Sequence, residues 1–142
     1  MINQAILILS TLLMGLSISD NSTQLTIQVE VKGENAGLVQ LLLFKGGKGF
    51  PDQATAAIKT ASAKVQSGKA VFKFKNLESG IYAVSAFHDT DGDGEMRKNL
   101  FGIPKDLYGF SNDARATFSA PTFDSASFNL TSGEHTISFT LK

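Results

Sequence analysis

The sequence contains no cysteine and no tryptophan, and it has only three prolines and two histidines. Without cysteine there is no disulfide, no thiolate nucleophile and no Cys-ligated zinc. A lipoprotein anchor is excluded too, because it would need a cysteine after the apolar N-terminal run. Charge of one sign is also missing: 13 Lys and Arg balance 13 Asp and Glu, so the formal net charge is zero. That balance argues against nucleic acid or an anionic membrane as a partner. The chain has neither a Gly-x-Ser-x-Gly nor a His-Glu-x-x-His pattern. The glycine-rich stretch Gly46–Pro51 carries a lysine, yet it lacks the G-x-x-x-x-G-K-[ST] spacing that cradles phosphate.

The N-terminal apolar run, Ile6 to Ile18, is too short for a comfortable membrane span. Small residues at Ser17-Ile18-Ser19 suit a signal peptidase, so residues 1–19 read as a signal peptide cleaved before Asp20. Only the amino terminus supplies positive charge there; a retained membrane anchor is the alternative. The remainder, 20–142, has about 120 residues, the size of one domain with a real core. The expected location is secreted or periplasmic, with no integral membrane segment after cleavage. An exported chain without disulfides must be held by packing or by a bound ion.

Short alternating segments fill that domain. In Gln24–Lys32, Leu25, Ile27, Val29 and Val31 face one way and polar residues the other, the mark of a half-buried strand. Leu38–Lys45 is apolar on both faces and therefore central, and with the first segment it reads as an antiparallel hairpin across Gly33–Gly37. Asp52–Ala63 is alanine-rich and suits a short helical turn. A turn at Ser67-Gly68 precedes a strand with Ala70, Phe72 and Phe74 inward and Lys69, Lys73 and Lys75 outward; the lysines discourage edge-to-edge pairing. Ile81–Phe87 is a further strand. Ala114–Ala120, Asp124–Leu130 and Glu134–Lys142 complete the set, the last two joined as a hairpin by Thr131-Ser132-Gly133. About seven strands without long helices make a single antiparallel β-sandwich, transthyretin-like or immunoglobulin-like, the expected fold.

One stretch departs from this scaffold pattern. His88–Phe110 begins H-D-T-D-G-D-G-E and places Asp89, Asp91 and Asp93 at positions 1, 3 and 5 of a D-x-[DN]-x-[DN]-G pattern. Calcium takes several hard oxygen ligands, and a curling loop with this spacing aims three carboxylates at one point. Gly92 and Gly94 permit the sharp turn, and the carbonyl of Glu95 stands where such loops supply a backbone oxygen. The full EF-hand pattern then fails: Arg97 and Leu100 occupy its ninth and twelfth positions, and a strand precedes it in place of a helix. This is a calcium-type half-loop, with Asn99, Asp106, Asn112 and Asp113 as further ligand candidates. A plain polar turn is the alternative, since Asp and Gly dominate turns for backbone reasons. His88 reads as a structural polar residue, and His135 as surface.

The following segment, G102-I-P-K-D-L-Y-G-F-S-N-D-A-R115, is the second candidate site. Tyr108, Phe110 and Arg115 suit a sugar or a peptide as binding anchors. As structure, Leu107, Tyr108 and Phe110 pack the loop onto the sandwich, Asn112 and Asp113 bond local backbone, and Arg115 neutralises loop carboxylates. The structural reading is preferred.

The stretches F87-H-D-T-D-G-D-G-E95, G102-I-P-K-D-L-Y-G-F-S-N-D-A-R115 and P121-T-F-D-S-A-S-F128 together resemble the exported bacterial proteins grouped as domain of unknown function 2141. The resemblance covers most of the mature chain. It implies a small secreted or periplasmic β-sandwich, similar in plan to transthyretin-like and collagen-adhesin B-type repeats, with no established activity. N76-L-E-S-G-I-Y-A-V84 resembles the Leu-x-x-Gly-x-Tyr-x-Val opening of a strand in those sandwiches. Arg97 stands where members of the family often carry an acidic residue.

Three readings of function follow. The first is a non-catalytic exported sandwich with a calcium-ordered loop, acting in binding or structure toward a cell-envelope or extracellular ligand. The second is a carbohydrate- or peptide-binding module using Tyr108, Phe110 and Arg115. The third, least favoured, is a metal-dependent hydrolase using His88 with Asp89; a catalytic metal needs more ligands than the sequence places.

Overall fold

The computed structural model describes residues 22–142; the signal peptide expected at 1–19 lies outside them. Eight strands carry the fold: β1 Gln24–Glu30, β2 Leu38–Lys45, β3 Lys59–Lys64, β4 Lys69–Lys75, β5 Gly80–Asp89, β6 Tyr108–Phe110, β7 Phe128–Leu130 and β8 Glu134–Thr140. A single helical turn, α1 Phe123–Ala126, precedes β7. One sheet has the order β4-β1-β8, and the other has the order β3-β2-β5-β6, with β7 also on β5. β6 and β7 follow one another along the same edge of β5, opposite β2. The fold is the all-β sandwich the alternation implies. Among the described residues, no helix is long and apolar enough to cross a membrane.

The core lies between the sheets. Leu25, Ile27, Val29 and Val31 from the first sheet meet Val39, Leu41, Leu43, Tyr82 and Val84 from the second, and all are buried. Each large side chain removed from water contributes about 1.5–3 kcal/mol. A second, smaller cluster covers the outer face of the β2–β5 sheet. It joins Ala83, Phe110, Ala114 and Ala126, with Phe50, Tyr108 and Phe123 packed against them. Phe50 stacks edge-on with both Phe44 and Phe123. This layer explains why β2 is apolar on both faces.

Two expected hairpins do not form. β1 pairs with β4 and, in parallel, with β8, while β2 pairs with β3 and β5. The segment after β1 crosses the roughly 10 Å between the sheets instead of turning within one, which lets the apolar faces of β1 and β2 bury each other. For the same reason β7 and β8 part to opposite sheets. The Ser67-Gly68 turn does form, with positive φ at both residues, as a two-residue reversal requires. Ala54–Ala56 makes the short helical turn, but Lys59–Lys64 beyond it is a strand. Ala114–Ala120 is not a strand, and Phe118 is fully exposed. Asp124–Leu130 was expected as one strand; it is a helical turn capped by the Thr122 hydroxyl, then β7. Ala126 and Leu130 still point inward.

The L77-E-S-G-I-Y82 motif has a local purpose. The Tyr82 hydroxyl donates to the Glu78 carbonyl at 2.6 Å while its ring fills the core. This ties the start of β5 to the turn before it, in the manner of a tyrosine corner.

Candidate metal centre

β5 is the longest strand and runs past the end of the sheet core into the aspartate loop. Strand alternation sends its last two side chains to opposite faces. His88 turns toward the sandwich interior, where Nε2 lies 2.8 Å from the Ala36 carbonyl. Gly37 packs beneath the ring; a Cβ there would lie 2.8 Å from Nε2. Asp89 turns the other way, into the loop. The His88–Asp89 pair that a hydrolase would need is therefore not assembled.

Asp89 is buried, and three donors hold it. Its Oδ1 accepts from the Gly92 amide at 2.8 Å, and its Oδ2 accepts from the Gly94 amide at 2.9 Å and from Gln40 Nε2 at 2.8 Å. Both glycines have positive φ, 74° and 78°, and this conformation turns their amides back onto the carboxylate. The Ser62 hydroxyl donates to the Gln40 carbonyl oxygen, so β3, β2 and β5 contribute in turn to one polar relay. Gln40 and Ser62 were not foreseen. The sequence offers Gln40 as the one polar residue within the run Leu38–Phe44, and only the strand register brings it beside the loop.

Asp91 and Asp93 are exposed, and with Asp89 they present carboxylate oxygens within 4.8 Å of one another. Asp93 Oδ1 also accepts from the Glu95 amide at 2.9 Å. Burial raises the pKa of Asp89, but the bonds from Gln40, Gly94 and Gly92 outweigh it and hold the carboxyl below its ordinary range. Asp91 is pushed up, first by desolvation and then by a hydrogen bond shared with Asp89. Two carboxylates this close disfavour each other's ionisation, as like charges at close range do. Hard oxygen donors in this arrangement could hold a metal ion. Three donors use about three of the four lone-pair sites on Asp89, so most of the coordination would fall to Asp91, Asp93, backbone and water. The side chain of Glu95 is outside the converging group, and its part rests on its carbonyl.

The further ligand candidates are engaged elsewhere. Asp106 is buried against Arg97, accepting from its backbone amide and from Nε, each at 2.7 Å, and from Nη2. Burial raises the Asp106 pKa, but Arg97 outweighs it and draws the carboxyl below its ordinary value. Arg97 is therefore a structural partner in this loop. Asn99 Oδ1 accepts from the amides of Phe101 and Ile103. Asn112 donates to the Ser127 carbonyl, and Asp113 accepts from the Thr140 amide. Those last two bonds tie distant segments, not the local backbone expected.

The second candidate site is also structural in its placement. Phe110 is buried in the outer cluster, 6.0 Å from the Phe50 ring. Arg115 does not neutralise the aspartates. It lies 5.3 Å over the Tyr108 ring and donates to the Tyr108 carbonyl at 3.0 Å. Of the three expected anchors, Phe110 is therefore not presented to a ligand.

Fold and loop together define a small all-β sandwich protein with an aspartate-glycine loop at the end of a central strand. The chain belongs to a bacterial family described as an uncharacterized protein conserved in bacteria, DUF2141, which it matches over residues 27–138. The match takes in the sandwich from β1 into β8, with the whole aspartate loop. No curated protein matches the chain.

Proposed function

We propose that this chain is an exported, non-catalytic sandwich whose Asp89–Asp93 loop is ordered by calcium and which acts in binding or structure at the bacterial envelope. One observation carries the calcium reading: three carboxylates from alternate loop positions have oxygens within 4.8 Å of one another. A cation there relieves the repulsion between Asp89 and its neighbours. The opposed directions of His88 and Asp89 support a role without catalysis. Export rests on the apolar N-terminal run and its small-residue end.

The test is a thermal melt with calcium and with excess chelator, on the chain and on Asp91→Ala. Calcium at ten times its dissociation constant stabilises by about 1.4 kcal/mol, or roughly 5 °C for a domain of this size. The rise should vanish in Asp91→Ala. Superimposable melts up to millimolar calcium would remove the ion and leave Asp89 as the organiser of a polar turn.

A further inference from the structure

The segment from Arg97 to Asp106 is a built projection. The Lys105 amide donates to the Arg97 carbonyl at 2.8 Å, and the Asn99 amide to the Ile103 carbonyl at 2.9 Å. Lys98 and Pro104 face each other between them as an antiparallel bridge. Asn99 then closes the tip, its Oδ1 taking the amides of Phe101 and Ile103 and its carbonyl the amide of Gly102. At the base, buried Asp106 grips the Arg97 backbone and guanidinium.

This scaffold holds large apolar side chains in water. Leu100 is fully exposed, Phe101 is 88% exposed and Ile103 58%. A floppy loop would fold such residues back onto the sandwich; the Asn99 bonds prevent it. The tip is convex, so its partner must receive it. Packing two such tips on each other would crowd like-charged lysines around one contact. Charge around the tip favours a different partner. Arg97 is matched by Asp106, while Lys98 and Lys105 stand exposed on either arm just below the apolar residues. An apolar tip with a cationic collar complements the acyl boundary and phosphates of a phospholipid surface. The zero net charge of the whole chain conceals this local arrangement.

We propose that the Lys98–Lys105 projection docks on a phospholipid bilayer, with Leu100, Phe101 and Ile103 entering the headgroup–acyl boundary and the two lysines meeting lipid phosphates. The proposal goes beyond the calcium reading and does not depend on it.

The chain has no tryptophan, so Phe101→Trp places one reporter at the tip. The full-length variant is mixed with vesicles of phosphatidylethanolamine and phosphatidylglycerol, with calcium and with chelator. The expected result is a blue-shifted emission that lipids brominated on the acyl chain quench, under either condition. Adding Leu100→Ser to the reporter protein should weaken partition about tenfold, and adding Lys98→Gln about fivefold on anionic vesicles. Because the reporter reads the tip itself, attachment through the N-terminal run does not mimic the signal. Emission that stays at the aqueous position with vesicles overturns the proposal. So does a blue shift that grows with protein concentration without lipid, which assigns the tip to a second copy.

Discussion

Removing either member of the Arg97–Asp106 pair is expected to destabilise the protein, and by unequal amounts. The Asp106 side chain is 1% exposed and that of Arg97 50%. In Asp106→Ala the guanidinium returns to water at little cost, and the loss is that of charge-assisted bonds to a backbone amide and two side-chain nitrogens, about 2 kcal/mol. In Arg97→Ala a buried carboxylate keeps only the backbone amide, which costs about 3 kcal/mol or more. At roughly 4 °C per kcal/mol these are drops of about 8 and 12 °C. The double variant should cost no more than the worse single, a coupling of about 2 kcal/mol. Asp106 is held below its ordinary pKa in the fold, so its contribution is full above the unfolded value of about 4 and is lost as pH falls through the folded one. Urea unfolding followed by circular dichroism at pH 7 and near pH 3 measures both effects. Additive single costs, or variants within about 0.5 kcal/mol of the parent at pH 7, would refute the reasoning.

Other expectations concern the loop and the core. Asp89→Ala removes the acceptor for two loop amides and Gln40, and should cost about 2 kcal/mol without any metal present, with hydrogen exchange at Gly92 and Gly94 accelerated. Gln40→Leu, which leaves the two amide bonds intact, should cost less than Asp89→Ala in the same unfolding assay. Tyr82→Phe deletes the bond to the Glu78 carbonyl while keeping the ring, and should cost about 1 kcal/mol in urea titration; no change would mean that water replaces the hydroxyl. Leu41→Ala opens the middle of the core and should cost about 2–5 kcal/mol.

The strands could be read from the chain where alternation was strong. β1, β4 and β5 appear near their expected places, and Leu25, Ile27, Val29 and Val31 are all buried as the pattern requires. β3 was hidden because Lys59–Lys64 is mostly exposed, so no buried period marks it. β6 has only three residues and was absorbed into a loop reading. Ala114–Ala120 failed in the opposite sense: its mixed apolar and polar residues resemble a strand, but no partner edge receives it.

The aspartate loop shows the same division. Spacing set Asp89, Asp91 and Asp93 at alternate positions of one glycine-rich turn, and the fold of that turn brings their oxygens within 4.8 Å of one another. Sequence also determined which strand faces are apolar, and hence that two sheets must stack. Strand partners, however, depend on where each apolar face finds another, and that is a property of the whole sandwich. Tertiary structure therefore decided that β1 and β2 part to opposite sheets, that Gln40 reaches Asp89, and that Asp106 takes Arg97. It also decided that Phe110 is core while Leu100 and Phe101 stand in water. Local periodicity carries no information about contacts between residues distant along the chain, and those contacts set what the site and its neighbouring projection present to solvent.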